Sequence, residues 1–111
     1  MRVEYSPEFD RRLDLFYHYI RDELKSPDTA TRNVNRILDQ CSLLAIMPRM
    51  GIGIQTEDGR DTGIRMLIME SHVALYRVTE ECVDIVTLLD ARTKEFAEVL
   101  EEIRQGIINN R

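Results

Sequence analysis

The chain has 111 residues, 43% of them apolar and 32% charged, with a formal net charge of −5 at pH 7. That length supports one core and a single domain over residues 1–111, and the composition excludes a disordered or fibrous chain. No apolar run approaches the ~18 residues of a membrane span, and Met1-Arg2-Val3-Glu4-Tyr5 is not a signal-peptide opening, so a cytoplasmic protein with no membrane role is expected.

The distribution of charge says more than its sum. Residues 1–55 balance eight Lys/Arg against eight Asp/Glu, whereas residues 56–111 set seven against twelve, so the acidic excess lies in the second half. A nucleic-acid-binding domain draws much of its affinity from cationic contacts to phosphate, and this balance weighs against that class without excluding a local basic cleft. Cys41 and Cys82 have no ligand-type neighbours at close spacing and read as buried thiols in a reducing compartment. The two histidines form no metal constellation. Neither a metal nor a cofactor is expected.

Taken in order, Met1–Ser6 alternates Val3 and Tyr5 with Arg2 and Glu4, which reads as a short first strand. Ser6-Pro7 supplies an N-cap and a proline at the first helical position. Phe9, Leu13, Phe16, Ile20 and Leu24 then recur on one stripe, which predicts a helix over about Pro7–Leu24 with His18 on the solvent side. Ser26-Pro27-Asp28 repeats the start signal and opens a second helix to about Met47, with Ala30, Val34, Ile37, Cys41 and Leu44 facing inward. Leu43 and Ile46 lie off that stripe, which predicts a helix end buried on more than one side. Pro48 and Gly51 end it. So short a connection makes the pair an antiparallel hairpin.

Residues 51–63 read as a loop in which Ile52 and Ile54 form at most a short edge strand. Three apolar runs follow: Ile64–Glu70, His72–Val78 and Cys82–Leu89, joined closely enough to be antiparallel neighbours. The last is apolar at both parities and should sit centrally, with the first strand returning to pair near it. Asp90 is placed to cap a final helix over about 91–106, whose stripe is Phe96, Leu100 and Ile103. The methionines Met47, Met50, Met66 and Met69 are expected in the core. The tail from Ile107 to Arg111 either frays or docks its isoleucines on a partner. The expected architecture is α+β, in the order β-α-α-β-β-β-α, with a helical hairpin on one face of a small antiparallel sheet.

Arginines punctuate the strands. Arg65, Arg77 and Arg92 are the principal candidates for contacting an anion or a target, because a guanidinium beside a strand must find an anion or water. Each could instead pair with a carboxylate of the chain. His72, Tyr76 and Arg60 are further candidates, with strand-end and loop roles as their alternatives. No catalytic residue is assigned.

The opening strand into Ser6-Pro7-Glu8-Phe9, the helix end Leu44-x-x-Met47-Pro48-Arg49-Met50-Gly51, then Gly63-Ile64-Arg65, His72–Val78 and Asp84–Leu89 with Ala91-Arg92 together resemble the RelE/ParE toxin superfamily of bacterial toxin–antitoxin systems. The likeness covers residues 1 to about 94. It implies a cognate antitoxin whose extended segment wraps the toxin, and one of two activities. RelE-like members cleave mRNA on the ribosome, and ParE-like members bind and inhibit DNA gyrase. The cleavage branch uses basic sheet residues, which Arg65 and Arg77 match, together with a tyrosine or histidine near the C-terminus. Beyond Leu89 this chain has neither. The resemblance therefore leans to the ParE-like branch, with the ribosome-dependent endonuclease and a non-toxic protein of the same fold as alternatives. A toxin dimer or a larger toxin–antitoxin assembly is open to either branch.

Overall fold

In the computed structural model, which describes residues 1–108, the chain begins as β1 (Arg2–Tyr5) and turns into α1 (Pro7–His18) at Ser6. Ser6 Oγ accepts a hydrogen bond from the Phe9 amide (3.0 Å) and donates to the Val86 carbonyl (2.5 Å). One hydroxyl thus caps the helix and ties its start to the sheet. The α-helical pattern ends at His18 and widens into a π-type turn over Tyr19–Glu23, in which the Leu24 amide donates to Tyr19 O (3.3 Å). That turn rotates Leu24 off the expected stripe, and it is exposed.

α2 (Pro27–Ser42) returns antiparallel to α1. Ser26 Oγ donates to Thr29 Oγ1 (2.7 Å) instead of capping a backbone amide. After Ser42 the helix tightens into a 3₁₀ turn, Leu43–Ala45, so the expected continuation to Met47 does not form. Only Leu44 of that turn is buried. Ile46 is 80% exposed, and Leu43, Met47 and Met50 are also exposed, against the expectation of a buried helix end and of a core place for these two methionines; Met69 is buried as expected and Met66 packs against the core. The reason is geometric: the tighter winding turns Leu44 inward and sends the chain into an exposed surface loop.

Four further strands follow: β2 (Ile52–Gln55), β3 (Asp61–Met69), β4 (His72–Val78) and β5 (Cys82–Asp90). They form one five-stranded sheet in the order β1-β5-β4-β3-β2. β2 to β5 are antiparallel neighbours, while β1 runs parallel to β5, pairing Val3 with Val83 and Tyr5 with Ile85. The sheet is therefore mostly antiparallel, with one parallel edge made possible by the hairpin as its crossover. The tentative strand at Ile52 and Ile54 is a real edge. β5 carries a bulge: Leu75 faces Thr87 but Tyr76 faces Ile85, leaving Val86 extra. β5 is apolar at both parities because both its faces are covered, Leu88 packing on the hairpin side and Leu89 on the opposite side, and because the inserted residue shifts the parity between Ile85 and Leu88.

α3 (Lys94–Arg104) closes the described chain. Its N-cap is Thr93, whose Oγ1 accepts from the Phe96 amide (3.2 Å), and not Asp90, which belongs to β5. Helices thus lie on both faces. The hairpin packs Phe9, Leu13, Ile37, Cys41 and Leu44 against Leu67, Tyr76, Val83 and Ile85. On the opposite face Ile103 of α3, with Phe96, Val99 and Leu100, packs against Ile64, Val73, Leu75 and Leu89. Burial pushes the Cys41 thiol up to about 12, so it behaves as a small apolar side chain. The tail residues 109–111 lie outside the described residues; Ile107 and Ile108, just before them, are exposed.

Candidate functional site

Cross-strand register fixes where each arginine points. Arg65 on β3 stands opposite Tyr76 on β4, and on the other side opposite Gly53 on β2. Directly opposed residues share a face, so Arg65 lies on the hairpin side with Tyr76. Arg77, the next residue after Tyr76, lies on the α3 side opposite Asp84. The two strand arginines are therefore separated by the thickness of the sheet. They cannot converge on one phosphate.

Each arginine also has partners within the chain. Arg65 Nη2 donates to the carbonyls of Arg49 (3.0 Å) and Gly51 (2.6 Å), and a Cβ at Gly53 would come within 3.2 Å of its Nη1. Arg77 Nη2 reaches Asp84 Oδ2 at 3.3 Å. Arg92 grips Asp90 with two parallel bonds, Nε to Oδ1 (3.0 Å) and Nη2 to Oδ2 (2.8 Å). That fork holds the Asp90 carboxyl down at about 2. Arg60 pairs with Asp58 in the loop before β3, at 3.1 Å.

Tyr76 is fully buried, and its hydroxyl accepts from the Gly51 amide at 2.9 Å. With Arg65 it forms a pair of clamps, one on the Gly51 N–H and one on its C=O, that fastens residues 49–51 to the sheet. A buried N–H and C=O left unpaired would each cost roughly 1–3 kcal/mol, so the clamps hold this loop in a single arrangement. What the loop displays outward is mostly apolar, Ile46, Met47, Met50 and, on β2, Ile52, with the exposed Arg49 among them. Sequence periodicity could not find this patch, because it depends on where two distant side chains catch the backbone.

His72 is only 8% exposed and stacks on Phe16 of α1, with ring centroids 4.3 Å apart. Burial lowers its pKa, the Asp90 carboxylate across the ladder partly offsets this, and Arg92 adds to the lowering. It joins the hairpin to the sheet as a neutral ring. Near the far end of β4, Glu4, Cys82 and Asp84 bring ligand-type atoms within 4.8 Å of one another. Both carboxylates already hold guanidiniums, Arg2 at 2.7 Å and Arg77 at 3.3 Å. The geometry there is an ion-pair network crossing β1 and β5.

A groove of about 330 Å³ runs between α3 and the sheet, lined by Ile64, Leu75, Val86, Val99 and Ile103 with Arg77 at its rim. Its apolar walls exist because α3 covers only part of that face, and the bulge at Val86 turns a valine outward into the uncovered part. No helix among the described residues is long and apolar enough to cross a membrane.

No curated protein matches the chain in a sequence search. Among solved structures, a chain of the chromosomal ParDE TA system from P. aeruginosa is similar, with a TM-score of 0.67 and 24% identity over 83% of this chain and 97% of that one. At that identity the likeness speaks for the fold alone. The family described as ParE toxin of type II toxin-antitoxin system, parDE, matches residues 3–95, a span that takes in the hairpin, all of the sheet but its first residue, and the cap of α3. The chain belongs to the ParE toxin family of type II toxin–antitoxin systems.

Proposed function

We propose that this toxin acts by binding DNA gyrase and inhibiting it, without chemistry of its own, and that a cognate antitoxin neutralises it. The observation that carries this reading is the placement of Arg65 and Arg77 on opposite faces. Cleavage of RNA at its own 2′-hydroxyl needs cations on one phosphate with a base and an acid beside it. Here the cations are apart, each is committed to a carbonyl or carboxylate, and His72 is buried against Phe16 on the hairpin face. The sequence beyond Leu89 has no tyrosine or histidine to serve as the acid. A ribosome-dependent endonuclease is the weaker alternative.

The antitoxin's seat is the groove beside α3. Its apolar walls take the side chains of an extended or helical segment, and the adjoining Arg77–Asp84 pair gives that segment a polar register point. A gyrase supercoiling assay with the purified toxin tests the target. Loss of supercoiling that added antitoxin reverses is the expected result, and codon-phased cuts in translated messages with intact supercoiling would replace this reading by the endonuclease.

A further inference from the structure

α3 divides the sheet face on which it lies into two hollows. On one flank Val99 and Ile103 line the groove beside β4 and β5. On the other, Leu100 and Arg104 line a hollow over Gly53, Ile54 and Met66. The helix period decides which charges go with which flank. Glu95 and Glu102 stand four residues before Val99 and three after it, so both lie along the groove. Arg104, the basic residue of the last turn, lies four residues after Leu100, on the far flank.

The chain compensates these carboxylates unevenly. Arg12 of α1 holds Glu95 through two bonds of 2.8 Å. Glu98, further out on the helix, meets the exposed Lys94 at 3.5 Å. The exposed Glu102 has no ion-pair partner among the described residues. Across the groove Arg77 is the cation at the rim, and Asp84 answers it at 3.3 Å. Past Arg77 the strand ends in the turn at Glu80 and Glu81, both exposed and both without an ion-pair partner among the described residues. The groove is apolar inside and bordered by carboxylates left uncompensated.

Such a surface selects its occupant by charge. An acidic segment would set like charges against Glu102 at one border and against Glu80 and Glu81 at the other, which is repulsive at short range. A lysine or arginine stem can instead lie along the apolar wall at Val99 while its head reaches a carboxylate. We propose that the antitoxin segment seated in this groove is basic as well as apolar, with one Lys or Arg answering Glu102 and another at the Glu80–Glu81 end. This rests on the reading that the groove is the antitoxin's seat. Exposed charges of this kind steer association, so binding weakens as salt screens them.

Fluorescence anisotropy of short labelled peptides titrated with the full chain tests this. Two Leu/Lys peptides, one alternating and one at helical spacing, are compared with their Leu/Glu counterparts. One Leu/Lys peptide should bind, at least about tenfold more tightly than its Leu/Glu counterpart. Glu102→Lys should weaken that binding by about three- to tenfold. The fold should tolerate it, since residue 102 is exposed near the C-terminus of α3, where a cation suits the helix dipole. Asp39→Lys makes the same change of charge at an exposed position of α2, on the opposite side of the sheet, and should alter binding less than about twofold. Val86→Asn removes an apolar wall without adding charge and should weaken binding about fivefold. Leu/Glu peptides that bind as tightly overturn the proposal, as does a Glu102→Lys effect no larger than that of Asp39→Lys. If Val86→Asn still weakens binding in either case, the groove remains the seat and only its preference for a basic segment falls. If neither Leu/Lys peptide binds, or Val86→Asn is without effect, the seat is lost and this proposal with it.

Discussion

Arg65 and Arg77 sit on adjacent strands yet on opposite faces of the sheet, because Arg65 is the cross-strand partner of Tyr76 and Arg77 is the residue after it. A period of two along a strand makes this unavoidable. Two arginines that look like one anion site along the chain are, in space, a loop clamp on the hairpin side and an ion pair on the α3 side.

If Arg65 is a clamp, Arg65→Ala leaves the Arg49 and Gly51 carbonyls without their donor. The expected cost is about 1–3 kcal/mol of folding stability, with faster hydrogen exchange over residues 49–53. Lysine at 65 should recover only part of this, since a single ammonium cannot reproduce the planar fork. Chemical denaturation with exchange mass spectrometry measures both. An unchanged loop would refute the clamp.

Gly51 is required for space. A Cβ there would lie 2.6 Å from Met66 O and 2.7 Å from the Tyr76 hydroxyl, both held rigidly in the sheet. Gly51→Ala should therefore destabilise by roughly 1–3 kcal/mol. Gly59→Ala meets no atom within 4 Å but must adopt a φ of +87°, so its cost is backbone strain alone and should be the smaller of the two. Denaturation midpoints rank them directly.

His72 predicts a pH dependence of known sign. Burial lowers its pKa below the unfolded value, so the folded state disfavours the proton that the unfolded chain accepts. Its contribution is fully present above the unfolded pKa of about 6.5 and is lost as pH falls below it. Melting temperature should drop between about pH 7 and pH 5, and His72→Phe, which keeps a ring against Phe16, should flatten that drop. An identical pH profile in the variant would assign the slope to other groups.

Much of this was legible in the sequence, and the rest fails for identifiable reasons. Stripe spacing located α1, α2 and α3, and Ser6-Pro7 marked a helix start whose cap is observed. The order of the elements followed from short connectors. What depends on register did not: the bulge at Val86, the opposite faces of Arg65 and Arg77, and the hydroxyl of Tyr76 reaching Gly51 across 25 residues. Asp90 has the composition of a cap but is taken by Arg92 two residues on, which leaves the cap to Thr93. The apolar Ile46 and Met47 suggest a buried helix end and are exposed because the helix tightens at Leu43.

The proposed antitoxin seat is tested at the bulge. Val86 lines the groove and is 40% exposed, so Val86→Asp should be tolerated by the fold. It places a charge where an apolar side chain is to be buried, and should raise the antitoxin dissociation constant by about tenfold or more. Calorimetric titration of the antitoxin reads this. Unaltered affinity would move the antitoxin to another face.

The most direct measurement is supercoiling by purified gyrase in the presence of the toxin. The account predicts dose-dependent inhibition at micromolar protein or below, relieved by stoichiometric antitoxin, with translated mRNA left intact in primer extension. Undiminished supercoiling together with codon-phased mRNA cuts would contradict it.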